Sequence, residues 1–191
     1  MESLFNKIKG YTSLSEASWS ELKKNLILKT YDDGTILSKL GEIPTKAFFL
    51  IKGYVKGYAL TEKGNHYNRI IYQSGEFMAS LSALIQNKKA NLALECLTDC
   101  TLIEVNWESF MELAKTNPEI GIFYRKVLEE RFVRFELSNI QLATMTATER
   151  YVELRKRCPD IEKQVSQLNI ASFIGITPVQ LSRIRKKLFS T

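Results

Sequence analysis

The sequence predicts an α+β chain: an antiparallel β-barrel, then one long helix, then a small basic helical tail. Three observations predict it. Short β-rich runs alternate with turn signals from about residue 27 to 106. A single helical pattern starts at Thr116-Asn117-Pro118-Glu119 and can reach Met145. The stretch Leu168 to Leu188, LNIASFIGITPVQLSRIRKKL, has the shape of two short helices hinged at a glycine. The 191 residues suffice for one large or two small domains. The expected division is 1–115 for the barrel, 116–145 for the long helix and 146–191 for the tail.

Ser18-Trp19-Ser20-Glu21 has capping-box spacing and opens or continues a short helix toward Lys24. The β-rich runs follow: LILKTY, TIL, AFFLIKGYVKGYAL, HYNRIIYQ, LALECL and TLIEV, separated by DDG, GEIP, EKGN and SGEF. Such regular spacing suits an antiparallel barrel or sandwich, the jelly roll among them. Glu62-Lys63-Gly64-Asn65 is the clearest hairpin loop. Gly53 and Gly57 lie within or between strands and mark a bulge or a close backbone approach.

Trp107 to Ala114 reads as a short helix. In the long helix, Leu128, Phe132, Phe135, Asn139 and Leu142 step by 4, 3, 4, 3, a coiled-coil seam with one polar position. A helix of about 25 residues spans roughly 38 Å at 1.5 Å per residue. That is long for a small barrel to cover, so a partner helix in a homodimer is expected; packing on its own barrel alone is the other reading. Thr148 caps a further helix to about Cys158, Pro159 interrupts it, and a short helix runs to Val165.

In the tail, Ile170, Ala171 and Ile174 give the first helix one apolar face. Gly175 ends that helix in the left-handed conformation. Thr177 caps the second, and Pro178 suits its first position. Leu181, Ile184 and Leu188 form its inward stripe. This is the pattern of a helix-turn-helix, and the candidate DNA-contacting set is Thr177, Val179, Gln180, Ser182, Arg183, Arg185, Lys186 and Lys187. Gln and Arg can read base edges, while Lys and Ser suit phosphates. An amphipathic hairpin with a solvated basic face has the same pattern. Charge favours a polyanionic partner: residues 144–191 hold 9 Lys/Arg against 4 Asp/Glu, the remainder 18 against 17.

Other classes find little support. No apolar run approaches the roughly 20 residues of a membrane span. The N-terminus lacks a secretory h-region, so the expected location is cytoplasmic. Cys96, Cys100 and Cys158 form no CxxC and are expected to be buried thiols. His66 sits beside the hairpin turn, and Glu129-Glu130 lie on the long helix as solvated acids. With no catalytic constellation, no enzyme activity, metal or cofactor is expected.

In this order the parts resemble the Crp/Fnr family of transcription regulators over nearly the whole chain. Phe48-Phe49-Leu50-Ile51-Lys52-Gly53-Tyr54-Val55 is similar to that family's strand-and-glycine signature. Gly75-Glu76-Phe77 matches the step before its phosphate-binding cassette. IGITPVQLSRIRKK resembles variants found in Bacteroidetes-type bacteria. The resemblance implies a cyclic-nucleotide-binding-like barrel, a dimerisation helix and a C-terminal helix-turn-helix. It also implies a dimeric, sequence-specific regulator whose partners are double-stranded DNA and a second copy of the chain.

The cassette departs from the pattern. Family members that bind cyclic AMP hold the ribose with a Gly-Glu-Leu run and the phosphate with an Arg-Ser pair. Here Ala79-Ser80-Leu81 and Ala90-Asn91 stand in those places. Phe135 and Glu136 align with the long-helix residues that meet adenine. The degenerate pocket, Gly75, Glu76, Phe77, Ala79, Ser80, Leu81, Ala90 and Asn91, is therefore expected to take an unknown small-molecule effector or none, and not cyclic AMP. Residues 1 to 40 contain no cysteine for an iron–sulfur centre, and the lone His66 does not suit haem. Pro178-Val179 replace the family's base-reading Arg-Glu pair, while Arg183 matches its later Arg. A β-wing after the last helix is not expected. A small-molecule-sensing or cyclic-nucleotide-binding signalling module whose tail engages a protein is the alternative function.

Overall fold

A computed structural model describes residues 1–60, 64 and 66–189. Most of the Glu62–Asn65 hairpin expectation, and Ser190 and Thr191, lie outside them. Two short helices lead, α1 (Glu2–Lys9) and α2 (Glu16–Lys23). The sequence pattern did not mark α1. Ser15 caps α2, its hydroxyl accepting the Ser18 N–H at 3.2 Å. Ser18 to Glu21 thus continue a helix already begun, and Ser18 is buried.

Among the described residues eight strands follow: β1 (Leu26–Tyr31), β2 (Ile36–Ser38), β3 (Lys46–Lys52), β4 (Val55–Leu60), β5 (His66–Tyr72), β6 (Phe77–Met78), β7 (Ala93–Cys96) and β8 (Cys100–Asn106). They form two antiparallel four-stranded sheets, ordered β1-β8-β3-β6 and β2-β7-β4-β5. This is the double-sheet jelly-roll order. The run AFFLIKGYVKGYAL breaks at Gly53, where φ is 101°. A Cβ there would sit 2.7 Å from the Asp99 carbonyl oxygen and from Cys100 Sγ. Between β6 and β7 runs α3 (Leu81–Gln86), absent from the sequence expectation.

Phe48, Leu50, Val55, Leu94 and Leu102 fill the space between the sheets. The outer face of the β1-β8-β3-β6 sheet packs Phe49 and Ile103 against α1, α4 (Trp107–Thr116) and α5 (Pro118–Thr144). Asn117 caps α5, accepting the Glu119 N–H at 3.1 Å, and Pro118 opens the helix. At 27 residues, α5 is about 40 Å long. Its first third is anchored by Ile120 and Phe123. Beyond Val127 its apolar side chains are largely exposed: Phe132 to 66%, Phe135 to 58% and Ile140 to 52%.

The tail contains α6 (Ala147–Arg157), α7 (Ile161–Gln164), α8 (Gln167–Ile174) and α9 (Pro178–Phe189). The cap of α6 is Thr146, not Thr148. Thr146 and Glu149 form a reciprocal capping box, which Thr148 in the first turn cannot make. The tail's core of Tyr151, Leu154, Cys158, Ile170, Ile174 and Leu181 is continuous with Tyr54, Ile71 and Leu97 of the roll.

Candidate nucleic-acid interface and effector cavity

The α8–α9 pair follows the sequence closely. Ile170, Ala171 and Ile174 are buried, and Gly175 takes φ 79°. The Ile176 N–H reaches back to the Ala171 carbonyl at 3.0 Å, fixing the turn. Leu181 is buried, with Ile184 and Leu188 packed beside it. Val179, Ser182, Arg183, Lys186 and Lys187 consequently face solvent.

Three members of the expected DNA-facing set have other duties. The Thr177 hydroxyl accepts the Gln180 N–H at 3.2 Å, and Gln180 Oε1 accepts the Thr177 N–H at 2.9 Å. This capping box leaves Gln180 its amide NH2 but occupies its carbonyl. A bidentate contact to adenine needs both, so Gln180 must give up its cap to read one. Arg185 points the other way: its Nε lies 3.1 Å from Glu162 of α7. Glu162 also accepts the Tyr151 hydroxyl. Burial and that bond raise the tyrosine to about 12. Arg185 therefore holds the tail together from inside.

A missed residue sets the tail's attitude. Arg150 of α6 donates Nε and Nη2 to the Ile174 carbonyl, at 3.1 and 2.8 Å, and Nη1 to the Met145 carbonyl. It ties the C-terminal ends of α8 and α5 together, where a cation also meets the helix dipole. The roll contributes β5, an edge strand. Asn68 Nδ2 donates to the Asn169 side chain and carbonyl at 3.1 and 3.2 Å, and its N–H donates to Ser172 Oγ. Arg157 Nη2 donates to the Ile71 carbonyl at 3.0 Å. The free edge of the sheet is thus covered by the tail.

A cavity of about 670 Å³ lies between the roll, α5 and the tail. Of the expected pocket residues, Phe77, Ala79 and Leu81 line it. The others do not. Gly75 (φ 86°) makes the turn, donating to the Leu50 carbonyl at 2.8 Å. Buried Glu76 pairs with Arg134 of α5 at 2.7 Å. Ser80 donates to the Leu92 carbonyl. Ala90 is buried, its N–H bonded to the Glu42 carbonyl, and Asn91 faces solvent. The cassette offers no guanidinium, yet four reach the cavity from elsewhere: Arg69 on β5, Arg131 and Arg134 on α5, and Arg157 on α6. Sequence reading of the cassette alone could not find them, because they lie on three separate elements.

Of the expected seam, Phe135 lies under the Arg69 guanidinium, 5.7 Å from its ring centre. Asn139 Oδ1 accepts from Arg69 at 2.6 Å. Both are engaged with their own roll. His66 lies on β5 rather than in a loop and stacks on Tyr58 at 4.3 Å. All three cysteines are buried free thiols. A hydrogen bond to Cys100, together with burial, raises the Cys96 thiol. Among the described residues no cluster of His, Cys, Asp or Glu is placed to hold a metal ion. No described helix is long and apolar enough to cross a membrane.

Comparison with known proteins agrees with this geometry. Residues 28–117 match the cyclic nucleotide-binding domain family. The cAMP-activated global transcriptional regulator CRP of Haemophilus influenzae is 22% identical over 171 residues, covering 84% of this chain and 76% of its own. Two solved structures share the fold. The c-di-GMP responsive global regulator CLP of Xanthomonas campestris has a TM-score of 0.69 at 20% identity, covering 92% of each chain. A protein from Eubacterium rectale assigned to the Crp/Fnr family of transcriptional regulators has a TM-score of 0.72 at 16% identity, covering 91% of this chain and 83% of that one. With a match to the cyclic nucleotide-binding domain over its roll, the chain is similar in sequence to a CRP-type regulator and shares the fold of solved Crp/Fnr regulators.

Proposed function

We infer that the chain is a dimeric, sequence-specific DNA-binding transcription regulator that cyclic AMP does not control. The observation that carries this reading is α9. Its apolar stripe is packed inward, and Val179, Ser182, Arg183, Lys186 and Lys187 stand together on the open side. A short helix entering the major groove needs this arrangement, with α8 and α9 acting as a helix-turn-helix. The exposed apolar stretch of α5 supports pairing with a second copy, which places two such helices on one duplex. Against cyclic AMP stand buried Ala90 and solvent-facing Asn91 where the family's phosphate ligands belong, and buried Ser80, bonded to the Leu92 carbonyl, in place of its ribose carboxylate. A cyclic phosphate needs charge-assisted donors at that place. The two named regulators above respond to different nucleotides, so neither effector transfers by likeness alone.

Selection of bound DNA from a random pool, with and without cyclic AMP, tests the reading. A pseudo-palindrome with half-sites about 34 Å apart is expected in both arms. Arg183→Ala should weaken binding to that site by roughly 10- to 100-fold, the 1–3 kcal/mol of one bidentate base contact. Enrichment only with cyclic AMP, or binding indifferent to salt and sequence, refutes it.

A further inference from the structure

The cavity has walls of one kind and charges of one sign. Tyr72, Phe77, Phe132 and Phe173 are among the side chains that surround it. Its volume of about 670 Å³ falls in the range of small-molecule sites, roughly 300–1,000 Å³. Into this apolar space come four guanidiniums. Only Arg134 is neutralised, by Glu76 at 2.7 Å and Glu130 at 3.9 Å. Among the described residues, Arg69, Arg131 and Arg157 have no carboxylate within 4.0 Å. Arg69 is held by the neutral groups of Ser138 and Asn139. Arg131 rests on the Tyr72 ring at 5.1 Å, and Arg157 on the Phe173 ring at 5.6 Å.

Two of these guanidiniums are also short of hydrogen bonds. Arg131 Nη2 and Arg157 Nε are buried and without partners. Arginine cannot shed its proton to escape the cost, and a buried unpaired donor is expensive. An anionic group offered to these nitrogens removes that cost. The aromatic walls leave the rest of such a ligand a place only if it is apolar.

We propose that the cavity binds an organic acid with an apolar body, its anionic group taken by Arg131 and Arg157 and its body by the aromatic walls. Arg131 belongs to α5, while Arg157 and Phe173 belong to the tail. One ligand would therefore touch the roll, the long helix and the DNA-reading unit at once. The binding claim does not depend on DNA recognition. A chain that binds the acid but no DNA would overturn the regulator reading and leave this one standing.

The test is fluorescence titration of the full chain, without DNA, using anilinonaphthalene sulfonate and its uncharged relative N-phenylnaphthylamine. Saturation of the sulfonate at one probe per chain is expected, with displacement by dodecanoate but not by dodecanol or cyclic AMP. Arg131→Gln and Arg157→Gln should each weaken the sulfonate about ten-fold, the size of one charge-assisted hydrogen bond. Binding of the uncharged probe should stay within about two-fold, which also reports that the variants are folded; Arg131→Lys should restore part of the sulfonate affinity. Equal loss of both probes, no change in either, or displacement by dodecanol as readily as by dodecanoate overturns the proposal.

Discussion

Glu104 sits on β8 facing the space between the sheets, nearly inaccessible to solvent. Lys46 Nζ approaches it at 2.9 Å and Lys29 Nζ at 3.4 Å, and the Tyr31 hydroxyl donates to it. Burial pushes the Glu104 carboxyl up, but the tyrosine bond and the two lysines outweigh it and hold the group below its ordinary value. A carboxyl lowered on folding stabilises the fold above its unfolded pKa, and that stability is lost as pH falls through the lower folded value. The thermal midpoint should therefore fall below about pH 4.3, the ordinary glutamate value. Glu104→Gln should lower the midpoint at neutral pH and flatten that acid limb. A variant whose acid limb stays as steep as the parent's would locate the titration elsewhere. This site was not legible in the sequence. TLIEV announces a strand with one acid in it, but the partners come from β1 and β3, through the pairing of Lys29 with Leu102 and of Phe48 with Glu104. Local spacing does not carry such non-local register. The α8–α9 turn is the opposite case: its stripe, left-handed glycine and threonine cap are all encoded within about twenty residues by local sterics and capping. What the local pattern could not show there is that Arg185 turns inward to Glu162.

The long helix α5 shows what periodicity can and cannot say about an element. The sequence pattern gives its length and amphipathicity and one seam, Leu128, Phe132, Phe135, Asn139 and Leu142. The structure adds a second apolar edge, Val133, Leu137 and Ile140, each about half exposed. At 100° per residue, Ile120, Phe123, Val127, Arg131, Arg134 and Ser138 share the side toward the roll. The side pointing away centres between Phe132 and Ile140. Phe135 and Asn139 lie on the flank, engaged with Arg69. A second copy of the helix is therefore expected to pack against Phe132, Val133 and Ile140, with Phe135 at the rim. Ile140→Glu should shift the monomer–dimer equilibrium at least ten-fold toward monomer in sedimentation equilibrium, since a buried charge facing its own copy is unpaired. Phe135→Glu should shift it less. The reverse ranking restores the seam read from spacing alone. Five periodic residues cannot choose between these faces, because the choice depends on where β5 places Arg69.

At the scale of the molecule, the long helix and the tail meet at the small polar run TMTAT, residues 144–148. Arg150 bonds both the end of α5 and the end of α8, and the tail's core runs into Tyr54, Ile71 and Leu97 of the roll. The solvent-facing basic side of α9 is therefore held in a set attitude to the sheets rather than on a tether. Under the proposed function that matters, because two copies would have to present their helices about one turn of DNA apart, and a small rotation of the tail about its docking surface would change that separation. Ile71 is the side chain to probe, being fully buried at this junction from the roll's side. Ile71→Ala should cost about 2–5 kcal/mol, as loss of a buried isoleucine does. If roll and tail form one cooperative unit, amide hydrogen exchange should quicken in α6 and α8 as well as in β5, and by comparable factors. Acceleration confined to β5 and its neighbours would mean that the tail folds on its own core and that the roll merely supports it. Arg150→Ala offers the complementary cut, since it removes the clamp without opening the shared core. Its effect on exchange should concentrate at the C-terminal turns of α5 and α8, with DNA affinity falling more than global stability, because the freed tail must then be ordered again each time it binds.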